Sequence, residues 1–139
     1  MKKLLFLLCI SGLFMTLAAQ GQSGPWIKTA DGQINCKKIT VSADNVKVVT
    51  ADGEKRTLPT SSVLSYSQDN LLLIKLPLYI REVKGEVFME FVRSKDDLSL
   101  YKYSINGMER YFIYRGENLY VALNDGNKAE FEKFFFVQL

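Results

Sequence analysis

Residues 98–123 decide the fold of this 139-residue chain: LSLYKYSINGMERYFIYRGENLYVAL. Three segments rich in β-branched and aromatic residues alternate there with two turns, Asn106-Gly107 and Gly116-Glu117-Asn118. Asn-Gly between two such segments favours a tight hairpin, because glycine tolerates a positive φ. We therefore predict a three-stranded antiparallel meander over residues 98–123.

Turn-forming residues recur outside this stretch at spacings of about ten residues, which is typical of consecutive antiparallel strands. The segments between them carry the same β-branched and aromatic types. These segments are residues 34–41, 46–50, 63–66, 71–74 and 87–92. We expect about eight to ten strands in a mainly β fold, arranged as an antiparallel meander or a barrel-like sheet.

The hydrophobic period changes near the C-terminus. Phe131, Phe134 and Phe135 fall at i, i+3 and i+4, the spacing of one helix face. Asp125 or Asn127 can cap the start of such a helix. We predict a short C-terminal amphipathic helix that packs its phenylalanines on the sheet. An aromatic face exposed to a partner is the alternative.

The N-terminus has the features of a secretory signal peptide. Lys2 and Lys3 precede an almost purely apolar run, and small residues follow it. We predict a signal peptide over residues 1–20 and a single β-rich domain over residues 21–139. The apolar run is too short to span a bilayer, so we expect no integral membrane segment after cleavage. The protein would then be exported, to the periplasm or the extracellular space.

Composition changes along the exported chain. Its aromatic residues lie at or beyond Tyr66, except for Trp26. Two lobes meeting near residues 76–85 are therefore an open alternative. Without Lys2 and Lys3 the 18 basic residues fall to 16, against 15 acidic ones. Near-neutral charge and export both argue against a nucleic-acid partner.

The chain has no histidine. This excludes Ser-His-Asp and Cys-His nucleophiles and histidine metal ligands. Cys36 is the only cysteine outside the signal peptide, and we expect it to be a small buried hydrophobe. On one strand, Glu86 and Glu90 would lie about 13 Å apart, too far for paired-carboxylate hydrolysis. We predict no catalytic residue, no metal and no cofactor; this favours a protein without enzymatic activity and leaves a hydrolase without histidine as the open alternative.

Tyrosines and cations alternate in the meander. Aromatic rings beside positive charges can stack on sugars or bases, whereas a two-sided sheet with solvated charges is the structural alternative. The candidate ligand-binding residues are Tyr101, Tyr103, Tyr111 and Tyr114, interleaved with Lys102, Arg110 and Arg115.

The leading hypothesis is a non-catalytic exported domain that binds or scaffolds an envelope protein or a glycan. A hydrolase without histidine would instead need two converging carboxyl groups in a pocket. Glu82, Glu86, Glu90, Asp96 and Asp97 are the residues that could supply them. An inhibitor or accessory subunit of an envelope complex would present a strand edge or a loop.

The start of the chain, with Lys2-Lys3, the Leu-rich apolar run and its end Leu17-Ala18-Ala19-Gln20, resembles export signals common in Bacteroidota. Several later segments resemble parts of small exported β-rich proteins of that phylum that have no assigned function. The later segments are residues 52–58, 63–66, 98–103 and 111–114. The resemblance implies export and a β-rich fold. It carries no catalytic or binding residue onto this chain.

Overall fold

The structure, a computed structural model, describes residues 24–139. The predicted signal peptide lies outside the described residues. Within them the chain forms ten strands, a one-turn 3-10 helix and one α-helix. The strands are β1 (Trp26–Thr29), β2 (Gly32–Val41), β3 (Asn45–Thr50), β4 (Lys55–Pro59), β5 (Val63–Gln68), β6 (Leu71–Tyr79), β7 (Lys84–Lys95), β8 (Leu98–Ile105), β9 (Met108–Arg115) and β10 (Asn118–Ala122); the 3-10 helix is Thr60–Ser62 and the α-helix is α1 (Lys128–Phe135).

The ten strands form one antiparallel sheet in the order β10-β9-β8-β7-β6-β5-β1-β2-β3-β4. Consecutive strands pair except where β5 returns to pair with β1. Strands β4 and β10 are the two edges, so the sheet is not closed into a barrel. The mainly β prediction is confirmed, in its meander form.

The predicted hairpin at Asn106-Gly107 joins β8 to β9. Both turn residues have a positive φ, 52° and 78°, as a two-residue type I′ turn requires. Leu119 and Tyr114 then pair across β10 and β9. The three-stranded meander over residues 98–123 is therefore confirmed.

Side chains pack on both faces of the sheet. The first core contains Ile27, Cys36, Ile39, Val46, Val48 and Val63, from β1, β2, β3 and β5. The second core contains Leu76, Leu78, Met89, Tyr101, Ile105, Phe112 and Tyr114, from β6 to β9. Phe88 packs on the first core, whereas Met89 is buried in the second. Because neighbouring strand residues point to opposite faces, the two cores lie on opposite faces.

A third core lies between the sheet and α1. Phe135 is fully buried there against Leu98, Leu100 and Ile113, and Phe131 and Phe134 pack beside it. The C-terminal helix is confirmed, with its phenylalanines on the sheet. No helix within residues 24–139 is long and apolar enough to span a membrane.

Candidate functional site

Two of the four candidate tyrosines are core residues. Tyr101 and Tyr114 are buried in the second core, and their rings meet edge to face at 5.5 Å between centroids. The Tyr114 hydroxyl donates a hydrogen bond to the carbonyl of Pro77 at 2.8 Å. Burial, with a smaller contribution from Tyr101, raises the pKa of Tyr114 to about 12. Neither ring offers a free face to a ligand.

The other two tyrosines are half-buried and lie on opposite faces of the sheet. Tyr111 pairs with Lys102, whereas Tyr103 pairs with Arg110 in the next register position. Tyr111 packs on the third core beside α1. Tyr103 lines a groove on the surface. The structure therefore does not bring the four tyrosines together.

The cations of the meander are engaged in ion pairs at the surface. Lys102 lies 3.2 Å from Glu90 and 3.4 Å from Glu109, and Glu90 is the main cause of its raised pKa. Arg110 lies 3.5 Å from Glu82. These cations stabilise the sheet surface rather than surround a ligand.

The carboxylates considered for hydrolysis are dispersed. Glu82, Glu90 and Asp97 each pair with a different cation, Arg115 being the partner of Asp97 at 2.6 Å. In residues 24–139 no three His, Cys, Asp or Glu side chains are grouped as a metal ion would need.

Cys36 is a free thiol buried in the first core. Its sulfur donates a hydrogen bond to the carbonyl of Ile34 at 3.4 Å. Burial is the main cause of its raised pKa. The raised pKa disfavours the thiolate, which is the reactive form of cysteine.

The candidate site is the groove that Tyr103 lines. It has a volume of about 600 Å³ and lies between the β2–β3 turn, the 3-10 helix and strands β5 to β7. Its floor carries Tyr66, Lys75, Glu86 and Phe88, and Tyr103, which packs on the second core, lines it from β8. We call this site the groove below.

Strand register creates the floor. Tyr66 pairs with Leu73 across β5 and β6, and Lys75 pairs with Phe88 across β6 and β7. These side chains therefore share one face of three adjacent strands. The rings of Tyr66 and Phe88 meet at 5.1 Å, and the Lys75 ammonium lies 5.1 Å from the centre of the Phe88 ring.

A series of hydrogen bonds connects Lys75 in the floor with the 3-10 helix and the β2–β3 turn, which border the groove. Lys75 Nζ donates to the carbonyl of Thr60 in the 3-10 helix at 2.6 Å. Thr60 Oγ1 donates to the carbonyl of Ser42 at 3.0 Å, and Ser42 Oγ donates to the carbonyl of Asn45 at 2.8 Å. The groove is therefore held in shape by the protein itself.

Several polar side chains of the groove are not hydrogen-bonded to other protein groups in residues 24–139. The hydroxyls of Tyr66, Tyr103 and Ser61 and the carboxylate of Glu86 make no hydrogen bond to another group in residues 24–139. Burial raises the pKa of Tyr66 and lowers that of Lys75, which Glu86 partly opposes. Tyr66 thus keeps its proton at neutral pH and remains a hydrogen-bond donor.

Sequence reasoning found Tyr103 but missed Tyr66, Lys75 and Phe88. These residues lie on three strands, and only their pairing register places them together. One signal was present: Lys75 is the single charge in the otherwise apolar run 71–78. A cation in such a run favours a site where it has defined partners.

Comparison with known proteins found no matching family model, no similar curated protein and no similar solved structure, so any function for this chain must be argued from the groove and the surfaces around it.

Proposed function

We propose that this chain is an exported, non-catalytic binding domain of the cell envelope and that the groove binds a short neutral glycan segment. The observation that carries the proposal is the uncommitted Tyr66 hydroxyl and Glu86 carboxylate beside the paired rings of Tyr66 and Phe88.

The chemistry of a sugar ring supports this assignment. One side of the ring exposes C–H groups that pack on an aromatic surface, and its edges carry hydroxyls that donate and accept hydrogen bonds. Phe88 and Tyr66 offer the apolar surface, Tyr66 and Ser61 offer hydroxyls, and Glu86 offers an acceptor. The volume of about 600 Å³ lies within the range of roughly 300–1,000 Å³ typical of ligand pockets.

Preorganisation also supports binding. The hydrogen bonds from Lys75 to Thr60 and from Thr60 to Ser42 hold the groove before any ligand arrives. A preformed site loses less conformational entropy on binding. The signal peptide predicted over residues 1–20 would bring this site to the periplasm or the outside of the cell, where envelope glycans are the available ligands.

The test uses a variant that removes one hydroxyl and one negative charge and keeps the shape of both side chains, Tyr66→Phe combined with Glu86→Gln. The probe is a panel of neutral di- to tetrasaccharides, measured by saturation-transfer NMR. We expect at least one oligosaccharide to bind the wild type. The double variant should bind it about tenfold more weakly, because one hydrogen bond is lost and one charge-assisted bond becomes a neutral bond, each change costing about 0.5–1.5 kcal/mol.

The matched control is Tyr79→Phe combined with Glu117→Gln, which makes the same chemical changes at exposed positions outside the groove. It should bind like the wild type. The proposal fails if no oligosaccharide binds, or if the two double variants lose affinity equally.

A further inference from the structure

A second surface, separate from the groove, lies on the outer face of β2, β3 and β4. Register places Lys38, Val49 and Lys55 side by side, and Thr40, Lys47 and Thr57 side by side in the adjacent row. Ile39, Val46 and Val48 alternate with these residues and are buried in the first core. We call the outer set of three lysines and two threonines the lysine face.

The lysine face concentrates positive charge without compensation. Diagonal neighbours on adjacent strands lie about 7–8 Å apart, which is the relation of Lys47 to both Lys38 and Lys55. None of the ion pairs formed by residues 24–139 involves these lysines. Glu54, directly before β4, is paired with Arg56 at 2.9 Å. Unpaired like charges at this spacing weaken a sheet.

Protection of a sheet edge does not explain the whole arrangement. Lysines on an edge strand prevent pairing with other chains, and Lys55 on β4 can serve that purpose. Lys38 can serve it too, because the part of β2 that carries it pairs with β3 alone. Lys47 lies on β3 between β2 and β4, so its place in the row of lysines needs another explanation.

The lysine face contains a depression and carries polar groups besides its lysines. A depression of about 360 Å³ lies among the three lysines. Thr40 and Thr57 border it, and within the described part of the chain neither hydroxyl makes a hydrogen bond. A ligand there would meet positive charges at the sides and hydroxyls between them.

We propose that the lysine face binds an anionic polysaccharide. Charge complementarity requires an anion, and the threonine hydroxyls suit a ligand that carries hydroxyls besides its charges. No aromatic ring lines the depression, whereas single-stranded nucleic acid is usually held by stacking on such rings. Three lysines are also fewer than the clusters of about four to eight that typically bind anionic membranes.

The test compares Lys38→Gln/Lys47→Gln/Lys55→Gln with a control of equal charge, Lys84→Gln/Lys128→Gln/Lys133→Gln. None of the control lysines makes an ion pair within residues 24–139. The probes are fluorescently labelled polygalacturonate and heparin, titrated by anisotropy, with unlabelled neutral dextran as a competitor. Binding by the wild type should weaken about tenfold in the first variant and less than about twofold in the control. It should also weaken with added salt.

Several outcomes would overturn the proposal: no binding of either polyanion, equal losses in the two triple variants, or competition by neutral dextran. Oligo-dT or phosphatidylglycerol vesicles that bind more tightly through the same lysines would assign the face to nucleic acid or to membrane instead. Circular dichroism of each variant confirms that it is folded. Binding of neutral oligosaccharide in the groove should be unchanged in both triple variants, so the two sites are tested independently.

Discussion

At the residue scale, Tyr114 combines packing with one polar contact. Its ring is fully buried against Tyr101, and its hydroxyl reaches the carbonyl of Pro77 on β6. That hydrogen bond links β9 to a strand that is not its neighbour in the sheet. Tyr114 thereby connects β9 and β6, the strands on the two sides of the second core.

Tyr114→Phe removes this hydrogen bond and keeps the ring. We expect the free energy of unfolding near neutral pH to fall by about 1–2 kcal/mol, because the Pro77 carbonyl loses its partner. Urea denaturation measures the change. Tyr79→Phe, at a side chain that is 71% exposed, is the control and should change little.

The same variant alters the response to alkaline pH. The pKa of Tyr114 is raised from 10.0 to about 12 in the folded state, so folding favours the protonated phenol. This contribution is present below pH 10.0 and is lost as the pH rises toward 12. Tyr114→Phe should therefore lose less stability than the wild type as the pH rises from 10.0 to about 12. A steeper alkaline loss in the variant would contradict the assignment.

At the element scale, α1 depends on strand β7. A helix of eight residues is too short to be stable alone. Arg93 donates to the carbonyl of Phe135 at 2.8 Å, and Lys95 donates to that of Phe134 at 2.9 Å. Lys95 also lies 4.3 Å from the ring centre of Phe136, which is 76% exposed. Both cations thus lie at the negative end of the helix dipole.

Arg93→Gln combined with Lys95→Gln should lower the free energy of unfolding by about 1–3 kcal/mol, because carbonyls at the helix end lose charged donors. Amide hydrogen exchange should show the greatest loss of protection in α1. Arg81→Gln combined with Lys84→Gln removes the same charge at exposed positions and is the control. Unchanged protection of α1 in the first variant would show that the phenylalanines hold the helix unaided.

At the scale of the whole molecule, strand β7 joins the cores. Phe88 packs on the first core and the neighbouring Met89 is fully buried in the second. Loss of one core therefore disturbs the strand on which the other depends. We expect the sheet to unfold as one cooperative unit, although its two halves have cores on opposite faces.

Met89→Ala tests this coupling. Its cost should be about 2–5 kcal/mol, as for other large-to-small core substitutions. Fluorescence of Trp26, the single tryptophan, reports on β1 in the other half. The urea midpoint seen by Trp26 should fall together with the midpoint seen by far-UV circular dichroism. A Trp26 midpoint that stays constant would favour two independent lobes.

The sequence by itself determined the local elements of this protein. Asn106-Gly107 correctly predicted the hairpin between β8 and β9, and the alternating turns and apolar segments predicted the meander over residues 98–123. The phenylalanine spacing predicted α1. These features follow from interactions between residues near each other in the chain, and such interactions leave a periodic pattern.

Only the tertiary structure decided which surfaces are available. Tyr101 and Tyr103 were both candidate ligand-binding residues, but the second core buried Tyr101 and left Tyr103 half-buried. The return of β5 to β1 and the register of β5, β6 and β7 brought Tyr66, Lys75 and Phe88 together. Burial and cross-strand contact depend on pairings between distant segments, and no local pattern of residues records those pairings.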